Sequence, residues 1–137
     1  MQRQIFGWEH IVEPKLKTDQ KMLGVLEELQ KRVFHHPDEF GTTQADIEGM
    51  TIDSFWEVGA SGRRYSREFV IEVLLERYSK PHEDIWETED FHCFEIAKDN
   101  YLLTDTLAQG SRITRRSTIW RCCDSVWKIV YHQGTIV

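Results

Sequence analysis

A carboxylate set among large apolar residues is a group whose proton can move near neutral pH. Glu57 has that setting, in the run Phe55-Trp56-Glu57-Val58. Desolvation favours the protonated form, so a buried glutamate can serve as a general acid or base. The same carboxylate can instead be structural, paired with Arg116 or accepting from the N–H groups of residues 59–62. Asp105 stands between two threonines in an otherwise apolar stretch. It reads as a second pocket acid or as a polar residue on an exposed edge. His132 has the side chain best suited to proton transfer near pH 7. Ser117 and His132 fall on different strand faces, so no Ser-His-Asp triad can be drawn.

Other chemistries find little support. Cys122 and Cys123 are adjacent and diverge in a strand, and the chain has no Cys-x-x-Cys. With no three ligands at usable spacing, neither a metal nor another cofactor is expected. Gly59-Ala60-Ser61-Gly62 lacks the Lys-Ser/Thr of a phosphate loop.

The elements that must position these residues can be read in order. Residues 1–15 form an N-terminal arm, interrupted by Gly7 and Pro14. The domain is expected over residues 16–137. Met22, Leu26, Leu29 and Val33 make one stripe of a helix from Asp19 to about Phe34, capped by Thr18 or Asp19 and ended by Pro37. A short helix follows within residues 38–50, with Thr43 as its cap. Ile52, Phe55, Trp56 and Val58 favour a strand over 50–58. After the glycine-bearing turn, Arg63-Arg64-Tyr65 returns as a short strand. Ser66 caps a third helix to about Tyr78, closed by Lys80-Pro81. A polar linker over 82–87 leads to strands at 89–97 and 101–109. A last hairpin joins 115–123 to 126–135 across Asp124-Ser125, a weaker turn than Asn-Gly. Helices segregated from a run of consecutive strands mean α+β.

The bulk numbers exclude some partners. A chain of 137 residues is one domain, large enough to bury a core without staples. A net charge of −6 with only short basic doublets argues against nucleic acid. No apolar run approaches a membrane span or a signal peptide, so a cytoplasmic protein is expected.

Three segments together carry a resemblance: 55–62 ahead of a helix, Arg116-Ser117-Thr118-Ile119-Trp120, and Trp127-Lys128-Ile129-Val130-Tyr131-His132-Gln133-Gly134-Thr135. The chain from about residue 20 onward resembles the nuclear transport factor 2-like superfamily, which includes SnoaL-type cyclases and ketosteroid isomerases. Within it, the likeness is to the branch called domain of unknown function 4440. The resemblance implies a cone: a strongly curved antiparallel sheet wrapped around three helices, with a pocket at the open end. It also implies a homodimer through the sheet. It leaves function open, because the family includes both enzymes and binding modules.

Alternation assigns the faces. Lys128 suits an outer face, which turns Tyr131 and Gln133 inward and His132 outward, to a structural role. Arg116, Thr118 and Trp120 share a face, as do Leu103 and Asp105, and Phe55 and Glu57. With Tyr65, these sets are expected to line the pocket, unless a one-residue bulge inverts a strand. Two functions are compatible with them. The first is binding of a small, mostly apolar ligand without turnover. The second is cofactor-independent acid–base chemistry on a small carbonyl or hydroxyl compound, as in an isomerase, dehydratase or cyclase. Glu57 or Asp105 would then move the proton, and Tyr65, Tyr131 or Arg116 would stabilise developing negative charge.

Overall fold

The computed structural model describes residues 11–35, 42–78 and 86–137. The expected helix stop at Pro37, the linker over 82–85 and the first ten residues of the N-terminal arm lie outside these. Residues 11–15 carry no helix or strand.

Helix α1 (Gln20–Phe34) starts where Asp19 accepts from the backbone N–H groups of Lys21 and Met22, at 3.0 and 3.2 Å. Its apolar stripe buries Leu26 and Val33 and partly buries Met22 and Leu29. Helix α2 (Gln44–Gly49) opens on a capping box between Thr43 and Asp46. Strand β1 (Thr51–Val58) turns at 59–62 into the short β2 (Arg64–Ser66). Ser66 Oγ then accepts from Phe69 N at 3.2 Å and begins helix α3 (Arg67–Tyr78).

Four long strands complete the chain: β3 (Trp86–Ala97), β4 (Asn100–Gln109), β5 (Arg112–Cys123) and β6 (Val126–Ile136). β3 begins three residues before the expected start at Glu89. The β5–β6 turn is the tight two-residue form, with Asp124 at φ 50° and Ser125 at φ 69°. Positive φ at both central residues matches the twist of the two strands. The six strands run in the order β2-β1-β6-β5-β4-β3. All pairings are antiparallel except β1 with β6, which is parallel. Register shifts in β3 and β6 bend the sheet into the curved form that wraps the helices. Among the described residues, no helix is long and apolar enough to cross a membrane.

The core lies between α1 and the concave face. Leu26, Leu103, Trp120 and Ile129 are fully buried there, and Phe55, Ile47 and Leu74 join them. Each such side chain contributes about 1.5–3 kcal/mol by leaving water. Polar residues share the core, Gln30 and Thr118 at its centre. Gln30 is fully buried and satisfied at both ends of its amide, by Trp120 and Thr118.

Alternation holds on β4, where Leu103, Asp105 and Leu107 are buried, and on β5, where Thr114, Arg116, Thr118 and Trp120 are. On β6 it fails part-way. Trp120 pairs with Ile129, yet the adjacent Ile119 pairs with Tyr131. Val130 is the extra residue, and one extra residue exchanges the two faces beyond it. Tyr131 and Gln133 therefore point outward, against expectation, and His132 and Gly134 point inward. On the outer face the Tyr131 ring meets Trp56 edge-on at 4.8 Å, and its hydroxyl donates to Gln133 Oε1 at 2.7 Å.

Candidate functional site

At the open end of the sheet, α3 and the end of α1 stand off from the strands. They leave a cavity of about 500 Å³. Its apolar wall includes Phe34, Val70, Val73, Leu74 and Leu107, with Trp86 at one side. Its polar lining includes Glu57 on β1, Thr114 and Arg116 on β5, and His132 on β6, with Arg77 on α3 and Arg112 on β5 also reaching it. Tyr65 stacks on Phe69 at 4.8 Å and closes the side nearest the 59–62 turn. That closure uses the missing side chain of Gly59, since a Cβ there would sit 2.6 Å from the Tyr65 ring.

Glu57 makes no hydrogen bond or ion pair with any described residue. Burial pushes its carboxyl up to about 7, and the charge of Arg77 pulls it back only in part. Pairing of Glu57 with Arg116, one of the two structural alternatives, does not occur. Arg116 is held by Asp105 instead: Nε donates to Oδ1 and Oδ2 at 3.3 and 3.2 Å, and Nη2 donates to Oδ2 at 2.5 Å. The two side chains are 5% and 1% exposed. Burial pushes the Asp105 carboxyl above its ordinary value, and the Arg116 charge and hydrogen bonds oppose that. A permanent guanidinium cation at bidentate contact keeps the pair ionised at neutral pH. Asp105 is thus neither an exposed edge residue nor a cavity acid; its oxygens are turned to Arg116.

His132 is the residue that alternation misplaced. Its Nδ1 lies 2.9 Å from Thr118 Oγ1, and its ring stacks on Phe34 at 4.7 Å. Burial takes its pKa down to about 3, and the nearby Arg116 charge pushes the same way, so the imidazole is neutral at pH 7. Glu57 and His132 are paired residues on adjacent strands and face the same space.

Of the other expected lining residues, Phe55, Leu103 and Trp120 belong to the core below the cavity, and Thr118 is buried behind His132. Gln30 went unread in the sequence, although it stands one helical turn after Leu26 on the buried stripe. Among the described residues, no three or more His, Cys, Asp or Glu side chains cluster to hold a metal ion.

The architecture matches solved structures over most of their length. An NTF2-like protein of unknown function in nutrient uptake, from Rhodospirillum rubrum ATCC 11170, aligns with a TM-score of 0.65, covering 85% of this chain and 98% of its own. The fold is that of the nuclear transport factor 2-like proteins. Sequence identity in that match is 12%, which establishes the fold and nothing finer. An uncharacterised protein with a cystatin-like fold from Caulobacter vibrioides aligns at a TM-score of 0.68 and 14% identity, covering 85% of this chain and 90% of its own. The hexachlorocyclohexane dehydrochlorinase LinA-type3 from Novosphingobium barchaimii LL02 is a further solved structure of similar fold. It aligns at a TM-score of 0.61 and 10% identity, over 82% of this chain and 84% of its own. No protein-family model and no curated protein matches the sequence.

Proposed function

We propose that this protein takes a small, mostly apolar molecule into the cone cavity and exchanges a proton with it through Glu57. The observation that carries the reading is a carboxyl with no partner among the described residues, on the wall of a cavity with a large apolar side. A carboxylate serving structure is normally satisfied. One left open to a cavity, with its pKa near neutrality, suits general acid–base work. The dehydrochlorinase of similar fold is an enzyme by name, so the architecture accommodates turnover. Binding without turnover is the second reading, favoured by Glu57 being the one carboxylic acid among the described lining residues.

Hydrogen–deuterium exchange separates the two. Cyclohexanone, camphor and 2-decalone carry exchangeable protons next to a carbonyl. In deuterated buffer at pH 7.5, catalytic amounts of the protein are expected to speed deuterium entry into at least one of them. Glu57→Gln should reduce that rate by about 10²–10⁴-fold. Exchange no faster than in buffer, or undiminished in the variant, leaves binding alone.

We also propose that two copies pair through the outer face of the sheet. Trp56, Phe94 and Ile113 lie there, each more than two-fifths exposed. Light scattering at micromolar concentration is expected to give twice the chain mass, and a monomer there ends the idea.

A further inference from the structure

A chain of four buried side chains determines where the His132 proton sits. The indole N–H of Trp120 can only donate, and it donates to Gln30 Oε1 at 3.1 Å. That orients the amide. Gln30 Nε2 therefore donates to Thr118 Oγ1, at 3.0 Å. Trp120, Gln30 and Thr118 are each fully buried, so no solvent competes for these groups. Thr118 Oγ1 now accepts from Gln30, and among the described residues the acceptor for its own proton is His132 Nδ1 at 2.9 Å. A ring nitrogen that accepts carries no proton. The neutral imidazole then holds its proton on Nε2.

The ring has no freedom to turn. Phe34 stacks on one face with the planes 25° apart, and Nδ1 is tied behind. Nε2 has no partner among the described residues, while His132 itself lines the cavity. Further along the same cavity wall, Thr114 Oγ1 is buried without a hydrogen-bond partner among the described residues. Arg116 adds donors to the same wall, but its charge is already balanced by Asp105. Around His132 this wall offers hydrogen-bond donors, and Arg77 and Arg112 line the same cavity further out. An amine would set N–H against N–H.

We propose that the Trp120–Gln30–Thr118 chain locks His132 as an Nε2–H donor, and that the cavity therefore selects ligands presenting a carbonyl oxygen to it. The ligand class rests on the cavity reading given above; the lock does not. His132 would hold the carbonyl oxygen while Glu57, its neighbour across β1 and β6, faces the adjacent carbon. The proton leaving carbon passes to the Glu57 carboxylate, and the electron pair shifts onto the oxygen held by Nε2–H.

The lock is read by two-bond ¹H–¹⁵N correlation on protein labelled at histidine nitrogen, with His132 assigned by its loss in His132→Gln. At pH 7 the expected pattern is a protonated ε nitrogen and a bare δ nitrogen. A δ-protonated ring or an imidazolium overturns the lock. Thr118→Val should release it, giving averaged signals; an unchanged pattern there also overturns it. The ligand class is read by titrating camphor, bornane and bornylamine. Camphor should bind about ten-fold more tightly than bornane, the worth of one added hydrogen bond, and should move the Nε2 signal. In His132→Phe the preference should vanish, and bornylamine should not compete. Equal binding of camphor and bornane to the wild type overturns the ligand class but leaves the cavity reading intact. Binding of none of the three overturns the cavity reading and the ligand class together, while the lock is still decided by its own spectrum.

Discussion

Asp105→Ala is expected to lower the free energy of unfolding at pH 7 by about 3–5 kcal/mol, because it strands a buried guanidinium. Arg116 and Asp105 face each other across β4 and β5, and both are nearly fully buried. Removing the carboxylate leaves Arg116 desolvated with its main partner gone. In a domain of this size the loss should lower the melting temperature by on the order of 10–20 °C. Removing both charges is a different experiment. Asp105→Leu combined with Arg116→Met should lose far less, since a well-packed apolar pair replaces a costly ionic one. Urea denaturation of the two variants decides it. A single variant that loses under about 1 kcal/mol, the range of an exposed pair, would contradict the buried geometry.

The ion pair was within reach of the sequence. Gly110-Ser111 closes β4 onto β5 with Gln109 opposite Arg112, and that register brings Asp105 opposite Arg116. Alternation also put both residues on the concave side. The register decides the partner: alternation alone leaves Arg116 equally available to Glu57, and only the β4–β5 pairing gives it to Asp105. The bulge at Val130 is another matter. Nothing in Lys128-Ile129-Val130-Tyr131 marks which residue will be skipped, because every one of them suits a strand. The skip is set by sheet curvature and by Ile129 filling the core, both tertiary effects. The helices and the strand positions were legible because each rests on local periodicity, capping or turns, whereas the cone came only through the family resemblance. The inward face of β6 beyond Val130 was not, and with it went the role of His132.

Glu57→Gln is expected to stabilise the protein at pH 8 by on the order of 2–3 kcal/mol, the worth of its raised pKa less some relief from cavity water. The folded carboxyl titrates near 7 against an ordinary value of 4.5. Between those values the folded state binds the proton and the unfolded state does not, so stability falls as pH rises through the window. Below about 4.5 both states are protonated, and above about 7 neither is; the contribution is then flat. Glutamine carries no such penalty. Wild type and variant should have similar stability at pH 4.5 and diverge steadily toward pH 8. Denaturation curves at pH 4.5, 6, 7 and 8 show this directly. A variant less stable than wild type at pH 8 would mean that Glu57 has a partner in the fold after all, and would remove it as the proton-transfer group. A group that weakens the fold at neutral pH and yet is held in the cavity wall fits a role in function better than one in architecture.

The parallel pairing of β1 with β6 has a consequence for how the chain is made. Thr51 lies beside Ile129, and β1 has only the three-residue β2 on its other side. During synthesis β1 leaves the ribosome long before its main neighbour exists. The hairpins from β3 to β5 can form as they emerge, since their pairings are local. The wall that joins Glu57 to His132 forms only when the last strand inserts between β1 and β5. Pairings this distant along the chain are slow, because the loop must close before the contacts reward it. The cavity is therefore among the last features to appear, and a chain cut short before β6 lacks the His132 part of its polar wall and the core residue Ile129.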